Sequence, residues 1–373
     1  MKLLIFIYSL SSGGAERVTS NLANHWAEKG WDIVIVTMTG VEKDFYPLHH
    51  NIKRISLNMD AKSAGLIDAV KYNYQGIKAL RRALKQQQPD IALSMMTTAN
   101  VLLALAATGL QLPVLGSERI HPPMFPLGRV WELLRRVSYG RLSAVVAQTS
   151  ESATWLKNHT HASNVVVIPN AVNYPVRLAP PLITPELSFQ QRFNLIAVGR
   201  LVSQKGFERL ICAFSDLAPR FPDWQLTILG EGDCRADLEA LILALNLEKR
   251  VSLPGVVGNV GEWYESADLF VMTSLFEGFP NTLTEAMAYG LSVVGVDCDT
   301  GPRDIIRHKV DGLLVPQNDP AALVEALATL MDKKALREQY AARAIEIRER
   351  LSMEKVAGMW EELFLKLTLK DRV

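Results

Sequence analysis

Cysteine is scarce in this chain of 373 residues, with only Cys212, Cys234 and Cys298. Three thiols at such spacings build neither a disulfide framework nor a cysteine metal site, and a reducing cytoplasmic setting is expected. Net charge is nearly absent at +1, and no nucleic-acid partner is expected. The dinucleotide fingerprint is missing as well. The first glycine loop, Ser11-Ser12-Gly13-Gly14-Ala15-Glu16-Arg17, has no G-x-G-x-x-G, and no acidic residue closes the second strand at 37–39, which argues against a nicotinamide oxidoreductase. No run reads as a membrane span. Residues 91–117 carry no charge, but Thr97, Thr98, Asn100, Gly109, Gln111 and Pro113 interrupt them, so they parse as strand, helix 100–110 and strand. Residues 1–10 (MKLLIFIYSL) are short for a signal sequence and lead into a helical pattern instead of a cleavage site.

The composition, 49% hydrophobic and 21% charged, suits a soluble chain with room for two domains. The opening reads strand, glycine loop, helix with Ala15, Val18, Leu22 and Trp26 at helical spacing, then strand 32–37: a βαβ unit. The second half opens alike, with strand 194–198 and Gly206-Phe207-Glu208-Arg209 echoing Gly14-Ala15-Glu16-Arg17. This predicts an α/β protein of two similar halves: residues 1–175, a linker over 176–191 rich in proline, and 192–350. A final helical stretch, 351–373, carries Val356, Met359, Trp360, Leu363, Phe364 and Leu367 at helical spacing. It either completes the first domain or caps the second. Charge is uneven: residues 1–180 hold 19 Lys and Arg against 11 Asp and Glu, whereas residues 181–373 hold 21 against 28. The first half is thus expected to face something anionic.

Residues 273–290 (TSLFEGFPNTLTEAMAYG) concentrate the candidate chemistry. They follow an apolar strand, 268–272, and break at Gly278-Phe279-Pro280. Asn281 then reads as the N-cap of a helix from Thr282 through Leu283 to Gly290. The break puts Glu277 on a loop and Glu285 in the first helical turn, so both can face one pocket. A helix start at the carboxyl edge of a parallel strand suits a phosphate, while carboxylates beside it repel phosphate and suit hydroxyl groups. Phosphate with many hydroxyls describes a nucleotide sugar. A favourable first-turn charge at Glu285 and a solvated Glu277 remain the plain alternative. The loop 199–206 is basic, with Arg200 shaped to fork onto a diphosphate and Lys205 adding a point charge. Asp297-Cys298-Asp299 could be taken for a metal-holding Asp-x-Asp, but no metal site is expected there.

The spacing Glu277-GFPNTLT-Glu285 resembles the signature of the retaining glycosyltransferases of family 4, and further segments in the expected order carry the likeness over nearly the whole chain. The Gly-Gly-Ala-Glu-Arg run is common among them. The resemblance implies a B-type fold, two Rossmann-like domains facing across a cleft, the second binding the nucleotide sugar. It implies that Arg200 and Lys205 hold the leaving diphosphate without a metal, with Glu277 as the third catalytic candidate. It places the nucleotide base near Gly255 and Val256, with Glu231 nearby. Gly14, Gly199, Gly278, Phe279, Asn281, Thr282, Leu283 and Glu285 complete the donor side, and Gly13, Glu118, Arg119 and His121 form the acceptor side. No cofactor is implied beyond the donor, a nucleoside diphosphate sugar taken as UDP-linked.

The expected activity is therefore hexosyl transfer with retention to a growing, lipid-linked glycan in bacterial surface polysaccharide synthesis, at the inner face of the cytoplasmic membrane. Peripheral contact would use Lys71, Lys78, Arg81, Arg82 and Lys85 in one helical segment. In another, Arg129, Arg135, Arg136 and Arg141 surround Val130, Trp131, Leu133, Leu134, Val137 and Tyr139. Solvated helices with an apolar core face fit those patterns equally. The alternatives are transfer to a small soluble acceptor and, in another class, a two-domain nucleotide- or sugar-binding protein without chemistry.

Overall fold

The apolar runs of the sequence become strands covered on both faces, as parallel sheets require. The computed structural model describes residues 1–59, 66–185 and 193–370. The chain divides into two compact units, Met1–Ala171 with Met353–Val373, and Val172–Ser352. The first unit holds β1 (Lys2–Ile7), β2 (Asp32–Thr37), β3 (Lys53–Ser56), β4 (Ile91–Met95), β5 (Val114–Ser117), β6 (Ala144–Ala147) and β7 (Val165–Val167). They form one parallel sheet in the order β3-β2-β1-β4-β5-β6-β7. The second unit holds β8 (Phe193–Val198), β9 (Trp224–Leu229), β10 (Val251–Gly255), β11 (Leu269–Met272), β12 (Val293–Asp297) and β13 (Gly312–Pro316), in the order β10-β9-β8-β11-β12-β13. Both are doubly wound Rossmann-like sheets, and each changes winding direction once, between β1 and β4 and between β8 and β11. Loops that leave neighbouring strands at such a switch point part to opposite faces and leave a crevice between them.

The final helix, Met353–Lys370, belongs to the first unit. Its Trp360 and Phe364 are fully buried. Phe364 meets Trp26 at 5.5 Å and Trp31 at 6.2 Å between ring centroids. Lys29 Nζ reaches Glu361 at 2.7 Å on the rim of the same contact. Between the units the chain crosses at Ala171 and again at Ser352, ahead of the proline-rich segment. That segment lies along the second unit because its backbone is bonded there: Ala179 N–H donates to Gly258 O at 3.0 Å, Gly258 N–H to Pro181 O at 2.7 Å, and Trp263 Nε1 to Ile183 O at 2.8 Å. Residues 186–191 of the expected linker lie outside the described residues.

Among the described residues, no helix is long and apolar enough to cross a membrane. Of the basic, apolar segment near residue 130, helix Arg129–Ser138 exposes Val130, Leu133 and Val137 with Arg129 and Arg136. The expected grouping is corrected at two positions. Arg135 is buried, its guanidinium 4.5 Å above the Trp155 ring and paired with Glu132, and Tyr139 lies wholly in the core.

Trp360→Ala removes the largest side chain that seats the final helix, and such a truncation costs about 3–5 kcal/mol. The expected outcome is a lowered urea midpoint for the first unit with the Trp263 environment in the second unit unchanged, followed by tryptophan fluorescence.

Candidate functional site

Two loops of the second unit meet where the sheet reverses. Residues 199–206 leave β8 and residues 273–280 leave β11. Gly206 joins them: its φ of +64° is left-handed, and a Cβ there would stand 2.3 Å from Thr273 O. Only glycine permits that approach. Thr273 Oγ1 donates to Lys205 O at 3.0 Å and Gly206 O at 3.1 Å, Leu275 N–H donates to Gln204 O at 2.7 Å, and Gln204 Nε2 donates to Phe276 O at 2.8 Å. Arg209 Nε adds a bond to Thr273 O at 2.7 Å. The loops are thus stitched by one backbone–backbone bond and by side chains that reach the opposing backbone, independently of the Lys205–Glu277 pair.

On this frame Lys205 Nζ lies 2.6 Å from Glu277 Oε1, and Ser274 Oγ donates to the same oxygen at 2.5 Å. Glu277 is only 6% exposed, and Thr300 Oγ1 holds its backbone carbonyl. Lys205 lies across Gly199, whose absent Cβ would fall 3.2 Å from its Cε. Arg200 is exposed on the same loop and has no side-chain partner among the described residues. The lysine expected to face a diphosphate therefore anchors the Glu277 carboxylate as well. An ammonium has three protons, and two remain for a phosphate.

The helix that follows is Asn281–Ala288, capped by Pro280 without a side-chain bond. Asn281 is its first residue and not its N-cap, a shift of one position from the expectation. Its opening turn contains Asn281, Thr282 and Leu283, and of these Leu283 N–H already donates to Pro280 O at 3.1 Å. Gly278 and the largely buried Phe279 precede it. Glu285 lies beyond that turn and not in it as expected, because the helix starts sooner; it is 2% exposed, with the buried Tyr264 hydroxyl donating to Oε2 at 3.5 Å and to Thr282 O at 3.4 Å. At the β9 and β10 ends, Glu231 is held by Arg235 Nε at 2.7 Å, and its carboxylate borders Gly255, where an added Cβ would stand 3.8 Å away. Gly255 has φ +94°, and Val256 beyond it is exposed. Hence Glu277, Lys205 and the helix start share one edge with Arg200, Gly255 and Glu231.

The first-unit candidates are arranged otherwise. Gly13 is the N-cap of helix Gly14–Glu28, and the Glu16 side chain folds to within 2.2 Å of where a Gly13 Cβ would be. Burial raises the Glu16 pKa. Glu118 is buried, with Thr97 Oγ1 donating to one oxygen at 2.7 Å and Tyr139 to the other. Burial raises its pKa despite these donors. Arg119 is buried too. Its NH1 donates to Asn170 Oδ1 at 2.7 Å, its plane lies 5.7 Å from the Trp360 ring, and burial lowers it to about 9. His121 Nδ1 lies 3.0 Å from Ser152 Oγ. Glu118 and Arg119 are thus engaged inside the first unit.

Sequence reasoning passed over Ser274, Gln204, Thr300, Tyr264 and Arg209. Only Arg209 carried a signal, the repeated Gly-x-Glu-Arg. Asp297 is paired with Arg303 at 2.8 Å, and among the described residues no group of three or more His, Cys, Asp or Glu could hold a metal.

Cys298 is buried beside this site, and burial first, then the Glu277 charge, push its thiol up to about 12. At pH 8 about one thiol in 10⁴ would be ionised. Exposed Cys212 is therefore expected to alkylate with iodoacetamide at least about 10²-fold faster than Cys298 in the folded protein, read by peptide mass. Equal rates would contradict the burial.

Comparison with known proteins covers both units. Residues 12–174 match the family Glycosyltransferase Family 4, and residues 183–347 match Glycosyl transferases group 1. An uncharacterized glycosyltransferase of Haemophilus influenzae is 28% identical over 96% of this chain and 99% of its own length. A Campylobacter jejuni α-1,4-N-acetyl-D-galactosaminyltransferase, named for a diNAcBac-PP-undecaprenol-linked acceptor, is 26% identical over 98% of this chain and 99% of its own. Among solved structures, sucrose-phosphate synthase of Thermosynechococcus elongatus superposes with a TM-score of 0.82 at 17% identity, covering 99% of this chain and 100% of that one. HepE of Anabaena, solved with UDP and glucose, gives 0.80 at 18%, over 98% and 100%. At those identities the structures establish the fold alone. With both of its Rossmann-like units matched, and a lysine and two glutamates set at the switch point of the second, this chain belongs to the family 4 glycosyltransferases of the B-type fold.

Proposed function

We propose that the protein transfers a hexosyl unit from a nucleoside diphosphate sugar, UDP-linked, to a lipid-linked glycan, with retention at the anomeric carbon and without a metal. The observation that carries this reading is the Lys205–Glu277 pair set beside a helix start. As the glycosidic bond to the diphosphate breaks, charge grows on the departing phosphate oxygens. Lys205, the exposed Arg200 and the positive end of the helix that begins at Asn281 are cationic or dipolar groups already in place to stabilise it. A charged hydrogen bond of this kind contributes about 1.5–3 kcal/mol. Glu277 accepts from a sugar hydroxyl and orients the ring, and Glu285 reads the ribose from beneath the helix start. Retention with no evident enzymatic nucleophile among the described residues points to attack on the face the diphosphate leaves, whose oxygen takes the acceptor's proton. The UDP complexes of HepE support the base. The acceptor for which the Campylobacter relative is named and the lipopolysaccharide core synthesis of a Rhizobium meliloti relative, 26% identical over 97% of both chains, support a lipid-linked acceptor. For membrane contact, helix Arg129–Ser138 offers Val130, Leu133 and Val137 to acyl chains, with Arg129 and Arg136 for anionic headgroups.

With a panel of nucleotide sugars, slow donor hydrolysis is expected for one UDP-hexose, undiminished by EDTA. Loss of activity with chelator would overturn metal independence. Glu277→Ala is expected to reduce turnover by about 10²-fold or more while UDP affinity by calorimetry stays within a few-fold. Near-wild-type turnover would remove Glu277 from the mechanism. UDP binding without turnover of any donor, with acceptor present, would favour a non-catalytic binding protein. Leu133→Asp should lose flotation with anionic phospholipid vesicles, and undiminished flotation would dismiss this helix as the contact.

A further inference from the structure

Both groups that hold the Glu277 carboxylate go to one of its oxygens. Lys205 Nζ at 2.6 Å and Ser274 Oγ at 2.5 Å converge on Oε1, and Oε2 has no partner among the described residues. The backbone under it is equally fixed. Thr300 Oγ1 donates to Glu277 O, and Gly301, at φ +98°, packs where a Cβ would stand 2.6 Å from Pro280 Cδ and 3.6 Å from Glu277 Cβ. Ser274 itself is 1% exposed, and its hydroxyl has no other partner among the described residues. A carboxylate free to turn offers two equivalent acceptors and can bridge two neighbouring hydroxyls. One clamped through Oε1 cannot turn to spread its two oxygens over two hydroxyls, because rotating the group would break both bonds to Oε1, and it has only Oε2 to offer.

We propose that Ser274 is a positioning residue which, with Lys205, locks the Glu277 carboxylate so that Oε2 alone faces the donor sugar. The site then selects the hexose by one hydroxyl at one ring position, not by a vicinal pair. Lys205 has the diphosphate to serve as well, so Ser274 is the partner that keeps the orientation when the ammonium is shared. This rests on the glycosyltransfer reading above.

The test uses the full chain, the UDP-hexose that the wild type hydrolyses fastest, and its monodeoxy analogues, in wild type, Ser274→Ala and Ser274→Thr. For the wild type, one deoxy analogue should lose about 10²-fold in kcat/KM while the others stay within about tenfold. In Ser274→Ala, kcat should fall about tenfold or more, with UDP affinity within about twofold of wild type. The penalty for that one analogue should shrink to about tenfold, because the carboxylate can now turn. Ser274→Thr should restore both the rate and the discrimination. A purely structural serine would shift thermal stability and UDP affinity together and leave the ratio between analogues untouched. Two adjacent deoxy analogues equally penalised in the wild type, or an unchanged ratio in Ser274→Ala with normal UDP binding, would overturn this inference alone. If the wild type neither binds UDP nor turns over any donor, the glycosyltransfer reading falls, and this inference with it.

Discussion

The ion pair of Lys205 and Glu277 is the constraint around which the second unit is built. An ammonium and a carboxylate this shielded lose most of their hydration, and their mutual attraction recovers that loss only if the geometry is held tightly. The rest of the local structure supplies that rigidity. Gly206 admits Thr273 O to a distance no other residue allows, Gln204 bonds the opposing loop through both its backbone carbonyl and its side-chain amide, and Arg209 secures the loop's root. Strand order does the remainder, since β8 and β11 are neighbours only because the sheet reverses between them. Seventy-two residues separate the two charges in sequence, and topology brings them into contact.

That separation also explains what could and could not be read from the sequence. Many strands were legible because parallel sheets bury both faces, so they appear as apolar runs; the edge strand β3, Lys53-Arg54-Ile55-Ser56, has no such run and was not. The glycine loops, the Glu277 and Glu285 pair and the basic loop were legible because each is a local pattern. The partners were not. Nothing in Thr-Ser-Leu-Phe-Glu says that Ser274 will turn back to its own loop's carboxylate, or that Thr300 will come from beyond the next strand to hold the same residue. Arg135 looked like one of several surface cations, and only the packing of Trp155 against it makes it a buried residue. The mistaken N-cap at Asn281 has a local cause. Pro280 fixes the backbone so that the helix starts one residue sooner, without needing a side-chain cap.

Glycines 255, 258 and 261 show how one spacing can hide unrelated reasons. Gly255 adopts a left-handed backbone beside Glu231. At Gly258 a Cβ would stand 1.4 Å from Ala179 O, and at Gly261 it would stand 2.4 Å from the Tyr289 hydroxyl. The second and third thus make room for residues 172–185 to lie against the second unit, where Tyr289 Oη accepts from Val176 N–H at 3.0 Å. A phosphate-binding reading of the three together would have mistaken a packing seam for a site. The same seam moves the unit boundary ahead of the prolines, because a segment bonded along its length to one domain no longer behaves as a tether.

The two units share a winding, yet they treat charge in opposite ways. In the first, Glu118 and Arg119 are adjacent in sequence and both buried, and their direct partners are neutral: Thr97 and Tyr139 for the acid, Asn170 and the Trp360 ring for the base, with Arg119 Nε left without a hydrogen-bond partner among the described residues. Burial accordingly pushes the acid up and the arginine down, which is the mark of charges held against their preference for water. Those residues tie β5 to the final helix and to the chain's exit at Asn170. In the second unit the charges meet each other and leave functional groups over: two protons on Lys205, one oxygen on Glu277 and the whole guanidinium of Arg200. A site that must grip an anion and orient an alcohol needs unspent donors and acceptors fixed in place. The fold leaves such groups where loops from β8 and β11 are stitched together, whereas Glu118 and Arg119, which follow β5 in the first unit, have most of theirs engaged by neighbours.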